Sequence, residues 1–212
     1  MNIVVVGGHS RNIGKTSVMA GLIRRVSPPA WTAVKITQYG HGICSVDGKP
    51  CACQPTEHSF ALTEEKDRHG RSDTHRFLAA GARRSLWLRV RQGQLDRALP
   101  RLLRALRSED WVMIESNSIL GLLRPALYLF VLDGLQQDFK PSAQRYLSRA
   151  DALIPVESSL NAVSWPEIEN SLLTDKPTFP VSRADFANSR LDEFVRRRLG
   201  LCQAKPNAGW AG

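Results

Sequence analysis

The stretch "MNIVVVGGHSRNIGKTSVMAGLIRR" occupies residues 1–25, and its reading decides the fold. Residues 2–7, "NIVVVG", form a short β-branched run of the kind that makes a buried strand. From Lys15 the spacing becomes helical: Val18, Leu22 and Val26 fall on one stripe, and Pro28-Pro29 ends it. Between strand and helix lies a glycine-bearing turn. Such a turn offers backbone N–H groups and the positive end of a helix dipole, which is what a phosphate needs. Gly14-Lys15-Thr16 completes that chemistry, because the lysine can reach β- and γ-phosphate oxygens and the threonine hydroxyl can ligate Mg²⁺. The candidate phosphate loop is therefore Gly8, Ser10, Arg11, Asn12, Ile13, Gly14, Lys15, Thr16 and Ser17.

Working outward, "WTAVKIT" (31–37) reads as a second strand, and periodicity is lost from residue 40 to about residue 72. This segment is read as a long functional loop or a small inserted subdomain, since structureless connections of that length are rare in a compact domain. Regularity resumes with a helix over "DTHRFLAAGA", a strand over "RSLWLRV", a helix over "GQLDRALPRLLRALR" and a strand over "DWVMIES". "ALYLFVLD", a helical "SAQRYLSRA", "DALIPV", a weak "TFPVS" and a closing helix "SRLDEFVRRRL" follow. Strands alternating with helices imply right-handed crossovers and a mostly parallel sheet covered on both faces. The expected fold is α/β, a three-layer αβα arrangement. One domain over residues 1–200 is expected, with the 40–72 insert and a disordered tail over 201–212.

At 212 residues and 42% apolar content the chain can bury the core of one such domain. The apolar run from residue 3 has no basic segment before it and no cleavage site, so no secretory signal is expected. The longest later apolar stretch contains Arg124 and Pro125 and is too short to span a bilayer. A cytoplasmic protein without a membrane partner is expected. The formal charge of +9, much of it arginine, permits a polyphosphate, nucleic-acid or acidic partner, but no nucleic-acid motif accompanies it, so nucleic acid is not an expected partner.

Four cysteines are present, three of them in "HGICSVDGKPCACQPTEH" with His41 and His58. Cys44, Cys51, Cys53 and His58 are candidate ligands for Zn²⁺ or Fe, because thiolates and imidazoles suit such ions. Their Cys-x6-Cys-x-Cys spacing is no standard finger, and reduced free thiols are the competing reading.

The strict phosphate-loop pattern has a glycine five residues before Gly14. Here that position is His9, and Gly8 lies six before. "GHSRNIGKTS" resembles the longer loop of dethiobiotin synthetases and cobyric-acid synthases. Downstream, "AVKIT" with Lys35, "GRSDTHRFLAAGA" with Asp73, and "DWVMIES" with Glu115 are similar in order and spacing to the molybdopterin-guanine dinucleotide biosynthesis protein B (MobB) family. The likeness covers roughly residues 1–135. It implies a P-loop NTPase fold, GTP or ATP as ligand with Mg²⁺, and a homodimer. The activity implied is slow or partner-stimulated hydrolysis in molybdenum-cofactor maturation, with a cofactor-biosynthesis protein or client enzyme as partner.

Each residue has a physical task within that reading. Glu115 ends an apolar strand, where a carboxylate can hold Mg²⁺ together with Thr16, or it is an ordinary strand-end acid. Asp73 can complete the metal shell or orient water, or it is only a helix cap. Lys35 can reach phosphates, or it is a plain surface amine. Lys15, Lys35, Asp73 and Glu115 are the candidate catalytic set, and Arg11 and Arg76 can pair with phosphate oxygens or are simply solvated. His75 is expected to face solvent. Two departures stand against the likeness: "ESNSIL" replaces a Glu-Gly turn, and "IPVESS" lacks the lysine and aspartate that read guanine in related GTPases. The alternatives are an ATP-dependent synthetase phosphorylating a carboxylate, and a metallochaperone-like GTPase.

Overall fold

A computed structural model of the chain describes residues 1–27, 30–40, 59–157, 165–166 and 168–201. Among the described residues seven strands form one sheet: β1 (Asn2–Gly8), β2 (Thr32–Tyr39), β3 (Phe60–Glu65), β4 (Arg84–Arg91), β5 (Trp111–Glu115), β6 (Leu127–Asp133) and β7 (Ala152–Val156). Their spatial order is β3-β4-β2-β5-β1-β6-β7. All neighbours pair in parallel except β3, which runs antiparallel to β4 at the edge. The apolar run of β1 is continuous because it sits centrally and is covered on both faces. Val4 and Val6 point into one core and Ile3 and Val5 into the other.

The first core packs α1 (Lys15–Arg25), α2 (Asp73–Ala79) and α6 (Ser189–Arg198) against the sheet through Val18, Leu22, Phe77, Leu191 and Phe194. The second packs α3 (Leu95–Ala105) and α4 (Pro141–Leu147) through Leu95, Leu102, Ala143 and Leu147. This is the expected three-layer arrangement. A short helix α5 (Ser171–Thr174) and a 3₁₀ turn over Ser118–Gly121 add to it. The weak "TFPVS" segment contributes isolated bridges from Thr178 to Leu153 and from Val181 to Val156. No helix among the described residues is long and apolar enough to cross a membrane.

The structure differs from the expectation in three places. The 40–72 segment, in which no periodic element was expected, contains strand β3, which pairs with β4 from Phe60↔Val90 to Glu65↔Ser85. Charges at Glu64, Glu65 and Lys66 mask it, as suits an edge strand that must not recruit further strands. Leu201, placed in the tail by sequence, still packs on the core and donates its N–H to the Arg196 carbonyl. His75 does not face solvent: it pairs with Ser72 and lies 3.2 Å from Glu65, because the first turn of α2 folds back on β3.

Candidate phosphate-binding site

The C-terminal ends of β1, β2 and β5 converge on the N-terminus of α1. Gly14, the residue before that helix, has φ 92° and supplies no side-chain cap, and the first turn carries no acid. Its N–H groups therefore remain available to an anion, and the helix dipole favours one there. Asn12 also takes positive φ (57°), which asparagine tolerates better than most residues. The loop opens on a cleft of about 1070 Å³ lined by Arg11–Ser17 together with residues from the surrounding strand ends.

Within it, Lys15 donates to the Ser10 carbonyl of its own loop. Burial, countered by Glu115 and reinforced by Lys140 and Lys35, brings its ammonium down to about 8. An anion bound beside this ammonium would favour its charged form and raise it again. Thr16 donates its hydroxyl to Glu115 Oε2 at 2.7 Å. The other Glu115 oxygen accepts from Lys35, whose ammonium also lies 2.8 Å from Asp73 Oδ2. Burial disfavours the Lys35 ammonium, but Glu115 and Asp73 outweigh it and raise it above the ordinary lysine value. Burial likewise pushes the Asp73 carboxyl up, yet Lys35, Thr16 and Arg76 hold it below the usual range.

Lys15, Thr16, Lys35, Asp73 and Glu115 thus form one charge-balanced cluster joining α1, β2, α2 and β5. Asp73 is not the helix cap; Ser72 is, accepting from the His75 N–H. The hydroxyl of Thr16 and the carboxylates of Glu115 and Asp73 are hard oxygen donors, suited to Mg²⁺ that keeps phosphate and water as its remaining ligands. Among the described residues no three His, Cys, Asp or Glu side chains converge as a protein-only metal cage. Cys44, Cys51, Cys53, His58 and His41 lie outside the described residues.

The remaining loop residues divide. Arg11, Asn12 and Ser17 line the cleft, and Arg76 donates to the Ser17 hydroxyl at 2.8 Å. Ile13 also borders the cleft, but its side chain is fully buried in the core. Ser10 turns away, donating its hydroxyl to Asp138 Oδ2 at 2.8 Å. Gly8 is a packing glycine, since a Cβ there would meet the Val131 carbonyl oxygen at 2.8 Å.

Sequence reasoning missed four participants. Asn117 clamps Gly8, accepting from its N–H at 2.9 Å and donating to its carbonyl at 2.8 Å. The "ESNSIL" departure is therefore a structural tie to the phosphate loop. Lys140, Arg183 and Phe186 line the β6 and β7 side of the cleft. No local pattern marks them, and the buried Asp133 that anchors Arg183 is 50 residues away.

No protein-family model and no curated protein matches the chain. Solved structures do: HypB from Helicobacter pylori in complex with nickel is similar over 96% of this chain and 90% of that one, at 16% identity and TM-score 0.51. LpxK from Aquifex aeolicus in complex with ATP is similar over 99% of this chain and 75% of that one, at 16% identity and TM-score 0.50. A Zn(II)-bound triple mutant of YjiA GTPase matches over 89% of this chain and 62% of that one, at 14% identity and TM-score 0.42. The chain has the P-loop NTPase fold.

Proposed function

We propose that the chain binds a nucleoside triphosphate with Mg²⁺ and hydrolyses it slowly or on stimulation by a partner. The observation that carries this is the uncapped, acid-free start of α1 opening on the cleft, with Lys15 and Thr16 as its first two residues. The loop amides and Lys15 take the phosphates, while Thr16, Glu115 and Asp73 are the oxygens available to the cation, which when bound neutralises phosphate charge. Lys35 and Arg76 balance the carboxylates beside it. The order of Lys35, Asp73 and Glu115 along the chain supports the finer reading, a MobB-like homodimer acting with GTP in molybdenum-cofactor maturation.

A second reading keeps its place because the cleft extends past the phosphate loop over Ser116, Asn117 and Ser118. That polar floor, with the longer loop spacing, suits a synthetase that activates a carboxylate substrate with ATP. Calorimetry with GTP and with ATP, each with Mg²⁺, tests the first reading: wild type binds at least one, and Lys15→Ala abolishes binding. Unchanged affinity in Lys15→Ala overturns it. Rapid ATP consumption dependent on a small carboxylate favours the synthetase.

A further inference from the structure

His9 is fully buried inside the phosphate loop, and both of its ring nitrogens are used. The Asp133 N–H donates to Nε2 at 3.0 Å, so Nε2 carries the lone pair. Nδ1 then carries the hydrogen and donates to the Asp138 carbonyl at 2.9 Å, a tautomer assigned from its partners. The ring packs between Phe139 and Trp165, with centroids 5.3 and 5.1 Å away. The main chain repeats the connection, since Lys140 N–H donates to the His9 carbonyl at 2.9 Å and His9 N–H to the Val131 carbonyl at 3.3 Å. Apart from Trp165, which lies beyond β7, these partners tie His9 to β6 and to the chain leaving it, which also delivers Lys140 to the cleft.

We propose that His9 is a positioning residue: its uncharged Nδ1–H ring pins the start of the phosphate loop to the connection 133–140, and a proton on Nε2 releases that pin and weakens phosphate binding. The inference rests on the triphosphate reading of the cleft. A proton on Nε2 faces the Asp133 N–H head-on, which leaves two donors opposed and one backbone group unpaired. The charged groups around the ring are Lys15 on its own loop, Asp133, Asp138 and Lys140 on the connection, and Arg183, which reaches Asp133. Burial and Lys15 oppose the proton while the Asp138 carbonyl, Asp133 and Asp138 favour it, and the net effect lowers the histidine below its ordinary value.

A neutral buried histidine contributes stability that is full above its unfolded value and is lost as pH falls below that value toward the depressed folded one. The experiment compares wild type with His9→Gln, whose side-chain carbonyl can accept from Asp133 and does not titrate. Urea denaturation without nucleotide and calorimetry with Mg²⁺ and ATP or GTP are run from about pH 8 down to about pH 5. Wild type is expected to lose affinity on acidification more steeply than His9→Gln, by up to about tenfold per pH unit for one coupled proton, and its nucleotide-free stability falls in the same range.

Identical pH profiles for the two proteins overturn the inference even if both bind triphosphate. Absence of triphosphate binding by wild type at every pH overturns the reading of the cleft and this coupling together. ¹⁵N spectra of wild-type imidazoles keep the test open should the variant fail to fold: a His9 ring protonated at Nε2 at neutral pH overturns the tautomer on which the pin depends.

Discussion

Replacing Lys35 by methionine removes the ammonium that holds Asp73 and Glu115 together. Its side chain is 19% exposed, that of Glu115 is 3% and that of Asp73 is 38%. Taking one partner from a buried pair costs ~3–5 kcal/mol, because the carboxylate left behind is neither hydrated nor neutralised. The Glu115 leg has that character. The Asp73 leg is open to water and adds only what a surface pair does, ~0–1 kcal/mol. Thr16 continues to donate to Glu115, so the lower end of the range applies: about 3 kcal/mol. In a chain of this length each kcal/mol moves Tm by ~2–4 °C, which gives a drop of about 6–12 °C.

The same substitution takes the paired cation from Glu115 and leaves Asp73 with only the more distant Arg76, 3.9 Å away. Mg²⁺ alone should therefore stabilise Lys35→Met more than wild type, by about 1.4 kcal/mol at ten times its Kd. Adding Glu115→Gln should recover part of the loss, because the uncompensated charge has gone. Differential scanning calorimetry with and without Mg²⁺ reads all three. A Lys35→Met protein that melts with wild type and ignores Mg²⁺ refutes the cluster, and Lys35 is then an ordinary surface amine.

Three further outcomes follow from packing and charge. In Gly8→Ala the new methyl meets Ile13 Cδ1 at 2.7 Å and the Val131 carbonyl at 2.8 Å, and the backbone oxygen cannot swing aside. Overpacking costs ~1–3 kcal/mol, read by urea denaturation, and triphosphate affinity falls with it. Asn117→Asp keeps the bond from the Gly8 N–H but sets a carboxylate against the Gly8 carbonyl, so a loss of ~1–3 kcal/mol and weaker nucleotide binding are expected, whereas wild-type values would show the clamp to be idle. Glu109 is buried, which pushes its carboxyl up, but Thr32, Arg84 and Arg83 together hold it below the usual range. Its contribution to stability is complete above the unfolded carboxylate value and disappears as pH falls through the folded one. Glu109→Gln should accordingly flatten the acid limb of a urea-midpoint profile.

The fold was legible because its central strands and amphipathic helices advertise themselves. β1 is apolar on both faces, and α3 repeats Leu95, Ala98 and Leu102 on the face it buries. β3 was not legible, since an edge strand with one neighbour needs no continuous apolar run and gains from the charges that hid it. The same logic separates the site residues. Glu115 ends a strand and Lys35 lies midway along another, both located by the apolar pattern, and Asp73 opens a helix, so three members of the cluster could be placed from order along the chain.

Lys140, Arg183 and Phe186 reach the cleft by topology alone: they follow the two strands on the far side of β1, and nothing in their neighbours requires a ligand. His9 combines both cases. It stands where the strict phosphate-loop pattern has a glycine, so the motif marks its position, yet its ring partners, Asp133 and Asp138, lie 124 and 129 residues ahead. A glycine at position 9 would have left the Asp133 N–H and the Asp138 carbonyl without the ring that now joins them. The departure from the motif is what fastens the loop to the segment that brings Lys140 to the same cleft.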